Sequence, residues 1–235
     1  AVPDCTSVDD APTVTTVTST TANGYYKVGG VIDIAVTFSE AVSGDVLVTL
    51  ETGEIDRTCS FSVAAESAGT CDYTVKTGDA SADLTVQSVT GTITDGSGDT
   101  LATPTPTINL AANKNIVIDT AKPLVPTKLK IYSSKQKTKR LKTINPRTFS
   151  KIVKAKSVHP YFTWSAVADV SKYYTKFTDK KISRQKLLNS KNKSNKTNAS
   201  GKITQIGKKY YLYMLLRDQA GNQSKVKTLL TYKAE

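Results

Sequence analysis

The side chains able to do covalent or acid–base chemistry are few and scattered. His159 is the only histidine of the chain, and Pro160 follows it. A Ser-His-Asp constellation needs that imidazole to meet both a nucleophile and an orienting carboxylate, and a surface or strand-edge histidine is the plainer reading. A glycosidase pair requires two carboxyls at a set separation, but most acids of the first half sit in turns or on polar strand faces. No enzymatic activity is expected. Three cysteines, Cys5, Cys59 and Cys71, and one histidine lack the ligand spacing of a zinc site.

Other residue types point to crosslinks and metal binding. Thr58-Cys59-Ser60-Phe61-Ser62-Val63 and Thr70-Cys71-Asp72-Tyr73-Thr74-Val75 both alternate, with each cysteine in phase with the apolar residues that follow. Between them, Ala64-Ala65-Glu66-Ser67-Ala68-Gly69 reads as a hairpin tip. A hairpin centred on Ala65 sets Cys59 opposite Cys71, so either a cross-strand disulfide or two buried free thiols results. Cys5 is left over, either free or paired with another chain. Glu40, Asp95, Asp99 and Asp119, at strand ends, turns and the linker, are the weak calcium candidates, because hard oxygen ligands suit that ion; Asp and Gly in turns serve the turns themselves just as well. No other cofactor is expected. Lys27 with Asn113 or Asn115 raises an intramolecular isopeptide bond, which demands a buried lysine. Asn192, Asn195, Asn198 and Asn222 each begin an Asn-x-Ser/Thr sequon.

Charge separates the chain into two halves. Its 235 residues carry a net charge of +12, but residues 1–120 hold 16 acids and 4 bases, whereas residues 121–235 hold 28 bases and 4 acids. The halves are therefore −12 and +24, and an evenly basic nucleic-acid binder is excluded. Nine of the 24 residues from Ser133 to Lys156 are cationic: Lys135, Lys137, Lys139, Arg140, Lys142, Arg147, Lys151, Lys154 and Lys156. These form the candidate interaction surface. Tyr173, Tyr174, Tyr211 and Tyr213 offer stacking faces for bases, unless those strands are core.

The elements that must position these groups read as strands. Ile32, Ile34, Val36 and Phe38 alternate with polar or small residues, and Val46, Val48 and Leu50 alternate with Leu47 and Thr49. Turn signals fall at Asn23-Gly24, Gly29-Gly30, Ser43-Gly44, Gly78-Asp79 and Asp95-Gly96-Ser97-Gly98. Strands at this spacing predict a β-sandwich. Pro123 and Pro126 bracket a linker where the charge changes sign, so the expected domains are 1–120 and 121–235. In the second, Tyr161-Phe162-Thr163-Trp164 and the run Tyr210–Leu216 are strands, Ile182–Leu188 is a short helix, and the polar stretch Asn189–Gly201 is a mobile loop. No apolar run reaches the roughly 18 residues of a membrane span.

Several blocks in order carry a resemblance. Ile32-Asp33-Ile34-Ala35-Val36-Thr37-Phe38-Ser39-Glu40-Ala41-Val42, Tyr73-Thr74-Val75-Lys76-Thr77-Gly78-Asp79 and Asn115-Ile116-Val117-Ile118-Asp119-Thr120 make residues 12–120 similar to the bacterial immunoglobulin-like repeats of surface proteins and adhesins. Such repeats are usually cysteine-free, which favours an added crosslink at Cys59 and Cys71. Phe162–Tyr174 and Tyr210–Ser224 resemble the core-tryptophan and penultimate strands of a fibronectin-III-like or immunoglobulin-like module. The segment from Lys135 to Lys156 fits neither pattern.

The resemblance implies an all-β protein of two tandem immunoglobulin-like sandwiches, extracellular on a bacterial surface. The opening Ala1-Val2-Pro3-Asp4 lacks an initiator Met and reads as a mature product after cleavage of a signal peptide, or as a trimmed chain. The leading expectation is a structural or adhesive subunit whose acidic and basic domains join head-to-tail into a filament or layer. The partner is then a second copy of the chain, and residues Thr13–Thr21 are a strand to be donated to that neighbour or the first strand of their own domain. The alternative is a binding module whose basic domain holds an anionic polymer, DNA or an acidic glycan.

Overall fold

In a computed structural model, the structure describes residues 10–146, 152–190 and 193–235. Cys5, Arg147, Lys151 and Asn192 lie outside the described residues. The chain divides into two compact units, Ala1–Ala121 and Lys122–Glu235. Both are all-β, immunoglobulin-like sandwiches.

The first unit comprises β1 (Val14–Thr18), β2 (Gly24–Tyr26), β3 (Val31–Glu51), β4 (Arg57–Thr74), β5 (Ala80–Ser81), β6 (Thr85–Gly91), one helical turn α1 (Leu110–Asn113) and β7 (Ile116–Asp119). Its spine is the antiparallel pair β3–β4, which runs from Val31↔Thr74 to Leu50↔Arg57 with register shifts around Val42. The even-numbered residues of β3 are apolar on both sides of that shift, and Ile32, Ile34, Val36, Val46, Val48 and Leu50 are all buried. A strand with a single apolar face this long satisfies it by bending around one core. The first half of β3 pairs with β1 and the second half with β6. Strand β2 pairs in parallel with β7.

Two expectations change here, and one open alternative is decided. Ser43-Gly44 is no turn but lies within β3, where Gly44 (φ 122°) brings its Cα against the Thr92 carbonyl; a Cβ there would sit 2.0 Å from that oxygen. The two cysteine segments do not pair with each other, because both pair with β3 as halves of one strand, β4. Residues Val14–Thr18 form β1 on β3 of their own unit, and Thr107 and Ile108 hydrogen-bond along its other edge.

The second unit comprises β8 (Leu129–Tyr132), β9 (Arg140–Ile144), β10 (Ile152–Ala155), β11 (Tyr161–Trp164), β12 (Val170–Thr178), α2 (Arg184–Leu188), β13 (Lys193–Ser194), β14 (Asn198–Ser200), β15 (Lys209–Asp218) and β16 (Lys227–Ala234). Its sheets have the orders β14-β11-β8-β9 and β10-β16-β15-β12-β13. Leu129, Ile131, Phe162, Trp164, Leu212, Met214 and Tyr232 fill the space between them. The polar stretch after α2, expected as a loop, contributes β13 and β14, which pair with β12 and β11. Short outer strands of this kind bond through backbone alone and need no apolar alternation.

Strand β9 is the unusual element. Removing it leaves an immunoglobulin-like arrangement in which a first strand, β8, lies beside β11 and its continuation, β10, runs parallel to the last strand, β16. The first part of the cationic segment, through Ile144, lies between those two pieces and folds back on β8 as a hairpin with Leu129↔Ile144 and Tyr132↔Arg140 paired. That explains why Lys135–Lys156 fits no repeat pattern.

Candidate functional site

In the first unit the chemistry is structural. Cys59 and Cys71 form a disulfide with Cα atoms 5.7 Å apart. Both are inward residues of β4, on the two sides of its bend, so the bond clasps the doubled strand. Phe61 packs over Gly69 across the same bend; a Cβ on Gly69 would come 2.1 Å from the ring. Next to the clasp, buried Asp79 accepts from Arg57 Nε at 2.8 Å, the Tyr73 hydroxyl at 2.7 Å and the Lys76 N–H at 2.8 Å. Burial alone would raise the Asp79 carboxyl, but these three donors outweigh it and hold it below the usual carboxylate range. Burial, then the Asp79 carboxylate, pushes the Tyr73 phenol far above its ordinary value. Asp33 behaves alike: burial raises it, and hydrogen bonds from Thr20, Thr21 and Ser19 bring it well below normal.

The calcium candidates are spread over separate features. Asp95 and Asp99 share one turn, in which Asp95 Oδ1 accepts from the N–H groups of Ser97 and Asp99 at 2.9 and 2.8 Å. Asp119 Oδ1 accepts from the Ala121 N–H at 2.9 Å, and Glu40 lies in the irregular middle of β3. Lys27 is exposed, so it is not the buried lysine an isopeptide bond requires. Asn113 donates to the Val17 carbonyl at 2.9 Å instead.

In the second unit, the tyrosines expected to offer stacking faces are largely covered. Tyr173 faces the main core, while Tyr174 and Tyr213, with half-buried Tyr211, pack beneath α2 around Leu187. The run Tyr210–Leu216 is thus covered on both sides, and these tyrosines leave no row of aromatic faces for bases.

Its cations, in contrast, face solvent. Lys135, Lys137, Lys139 and Arg140 lie in the β8–β9 turn and at the start of β9, with Lys142 further along; Lys154 is in β10 and Lys156 follows it, and all are exposed. Among the described residues, the ion pairs of this unit are Lys154–Glu235 at 3.1 Å and Lys208–Asp179 at 2.7 Å. Asn195 and Asn198 sit at β13–β14. Asn222 lies in the turn after β15, and its sequon serine, Ser224, is buried and accepts from the Leu216 N–H at 3.0 Å.

The inserted hairpin and the segment that follows β10 meet in a depression of about 580 Å³. One wall is the turn Ser133, Ser134 and Lys139 with Leu141; the other is Ala155, Lys156, Ser157, Val158 and His159. The Ser133 N–H bonds to the Lys139 carbonyl at 2.9 Å, and Lys137 (φ 58°) closes the turn in the left-handed region. Ser157 Oγ donates to the Ser133 carbonyl at 2.5 Å, and the hydroxyl of fully buried Tyr232 donates to the Ser157 carbonyl at 2.9 Å. The rim is thereby tied to the core. Three serines and His159 were not read from the sequence as parts of a site; only Lys139 and Lys156 were.

No protein-family model matches the chain, and no curated protein matches it. Among solved structures, the FN1–FN3 domains of chicken CNTN1 are similar at 11% identity and a TM-score of 0.33, over 95% of this chain and 67% of that one. That superposition is too loose to bear on site or partner. No helix among the described residues is long and apolar enough to cross a membrane.

Proposed function

We propose that this chain is a non-enzymatic, extracellular structural or adhesive protein whose basic second unit docks an anionic polymer, with an acidic glycan as the polymer class. The observation that carries the reading is the inserted hairpin. It adds Lys135, Lys137, Lys139, Arg140 and Lys142 to an otherwise complete sandwich, all exposed and, among the described residues, in no ion pair. The covered tyrosines weigh against single-stranded nucleic acid, which draws much of its affinity from stacking. The Cys59–Cys71 disulfide suits an oxidising compartment outside the cytosol. The test is binding of the full-length chain to dextran sulfate across a salt series. Affinity should fall steeply, with a log–log slope of several released counterions; no binding at about 50 mM salt removes the reading.

A second reading rests on the separation of charge into −12 and +24 halves. The anionic surface that the basic unit meets is then the acidic unit of another copy, and the head-to-tail contact leaves both ends open for growth. Light scattering of the ligand-free protein at low salt tests it. Concentration-dependent growth that disappears on adding salt supports assembly, whereas monomer throughout refutes it.

A further inference from the structure

We infer that the depression between the β8–β9 turn and the Lys156–His159 segment is a discrete site for a sugar residue bearing a phosphate or sulfate ester. This rests on the proposal that the second unit docks an anionic glycan, and it says where one charged residue of that glycan is held.

The chemistry of the lining is one-sided. Lys139 and Lys156 contribute cationic donors, His159 an imidazole, and Ser133 and Ser134 hydroxyls, and among the described residues no acidic side chain lines the space. A tetrahedral oxyanion presents several acceptor oxygens in a small volume and is met best by several donors converging from different directions. Here they come from two chain segments some 20 residues apart. The remaining lining, Leu141, Ala155 and Val158, is aliphatic. An apolar wall beside cationic donors fits an ester whose carbon ring has a face to bury, more than a free inorganic ion. The volume of about 580 Å³ falls in the usual range for small-ligand pockets.

The rim is also set in advance. The Ser157–Ser133 hydrogen bond joins the two walls, and the Tyr232–Ser157 bond anchors them to the sandwich core. Little ordering remains to be done on binding, which separates this site from a flexible lysine-rich tail.

The experiment uses the full-length chain and three probes: dextran sulfate, phosphorylated dextran and plain dextran. The variant Lys139→Gln/Lys156→Gln/His159→Gln is compared with Lys172→Gln/Lys176→Gln/Lys225→Gln, which removes three exposed lysines from β12 and the β15–β16 connection. At about 150 mM salt the pocket variant should lose roughly tenfold or more in affinity and the control less than about threefold, although the control removes at least as much charge. Val158→Asp, which places a carboxylate on the aliphatic wall and removes no cation, should lose affinity like the pocket variant. Whichever dextran ester shows these differences names the anion, and plain dextran should not bind. Equal losses in the two triple variants, or an unaffected Val158→Asp, overturn the pocket and leave diffuse polyanion binding standing. Failure of the unmodified protein to bind either ester overturns the glycan reading and the pocket with it.

Discussion

The disulfide clasp makes a prediction that can be worked through in numbers. Cys59 and Cys71 are separated by 12 residues, and their bond joins the two sides of the bend in β4. Closing a loop of about 13 residues in the unfolded chain removes roughly 10 cal/mol/K of entropy, or about 3 kcal/mol at 25 °C. For a domain of this size a urea m-value of about 1–1.5 kcal/mol/M converts that into a midpoint lowered by about 2–3 M. The double variant Cys59→Ala/Cys71→Ala should therefore unfold its first unit at much lower urea. Trp164 is the only tryptophan and is buried in the second unit, so its fluorescence reports that unit alone. Hydrogen exchange read on peptides of β3 reports the first. The variant should lower the β3 midpoint and leave the fluorescence midpoint in place, and a thiol reductant should reproduce the shift in the unmodified protein but add nothing in the variant. A β3 midpoint that moves by less than about 0.5 M would show that the bend holds without its clasp and that the loop-entropy reasoning fails here. A fluorescence midpoint that moves equally would show that the two units do not unfold independently.

Two further predictions concern the first unit. Gly69→Ala drives a Cβ into the Phe61 ring and should cost about 1–3 kcal/mol by overpacking, measured by the same β3 exchange, with Phe61→Leu in the Gly69→Ala background recovering part of it. Asp79→Asn removes the anion from a site where Arg57 and Tyr73 both point at it, and should cost about 2–4 kcal/mol at neutral pH. The folded-state carboxyls of Asp33 and Asp79 are lowered. The stability they contribute is present above the unfolded value near pH 4 and is lost as pH falls towards their folded values. An acid titration of the first unit should show that loss below about pH 4, and Asp79→Asn should flatten it.

Much of this fold is legible in alternation. Ile32-Asp33-Ile34-Ala35-Val36 declares a half-buried strand, and the short run Ile182–Leu188 yields α2 with Ser183 as its cap. The pairing of Cys59 with Cys71 was also open to the reader, but for the wrong geometric reason. A hairpin and a bent strand both bring residues 12 apart together, and local pattern does not distinguish them. What decides is that β3 is long enough to pair with both cysteine segments, a long-range fact. Ser43-Gly44 misleads because a glycine with positive φ usually marks a turn, whereas Gly44 permits the backbone of β3 to approach Thr92. Strands β13 and β14 are invisible because they are short and, apart from Ala199, polar. The depression is half legible: a run of lysines announces a charged surface, but Ser133 and Ser157, which follow β8 and β10, become neighbours only through the tertiary fold.

The lysines of the second unit do not all serve one purpose, and strand order separates them. Strands β9, β10 and β13 lie at the ends of their sheets, where unpaired backbone invites another chain to add on. Arg140 and Lys142 on β9, Lys154 on β10 and Lys193 on β13 put charge on those strands, a common means of keeping such an edge unpaired. Edge protection is thus a second role for these residues, and Arg140 and Lys142 also add to the positive field of the hairpin. Lys139 and Lys156 are different, for each lies just outside its neighbouring strand, in the segments that form the depression. Edge protection does not explain their charge. Replacing the edge cations should accordingly raise the tendency to aggregate while changing glycan affinity only through overall charge. Replacing Lys139 and Lys156 should do the reverse, so aggregation and affinity measured on the same two sets of variants separate the roles.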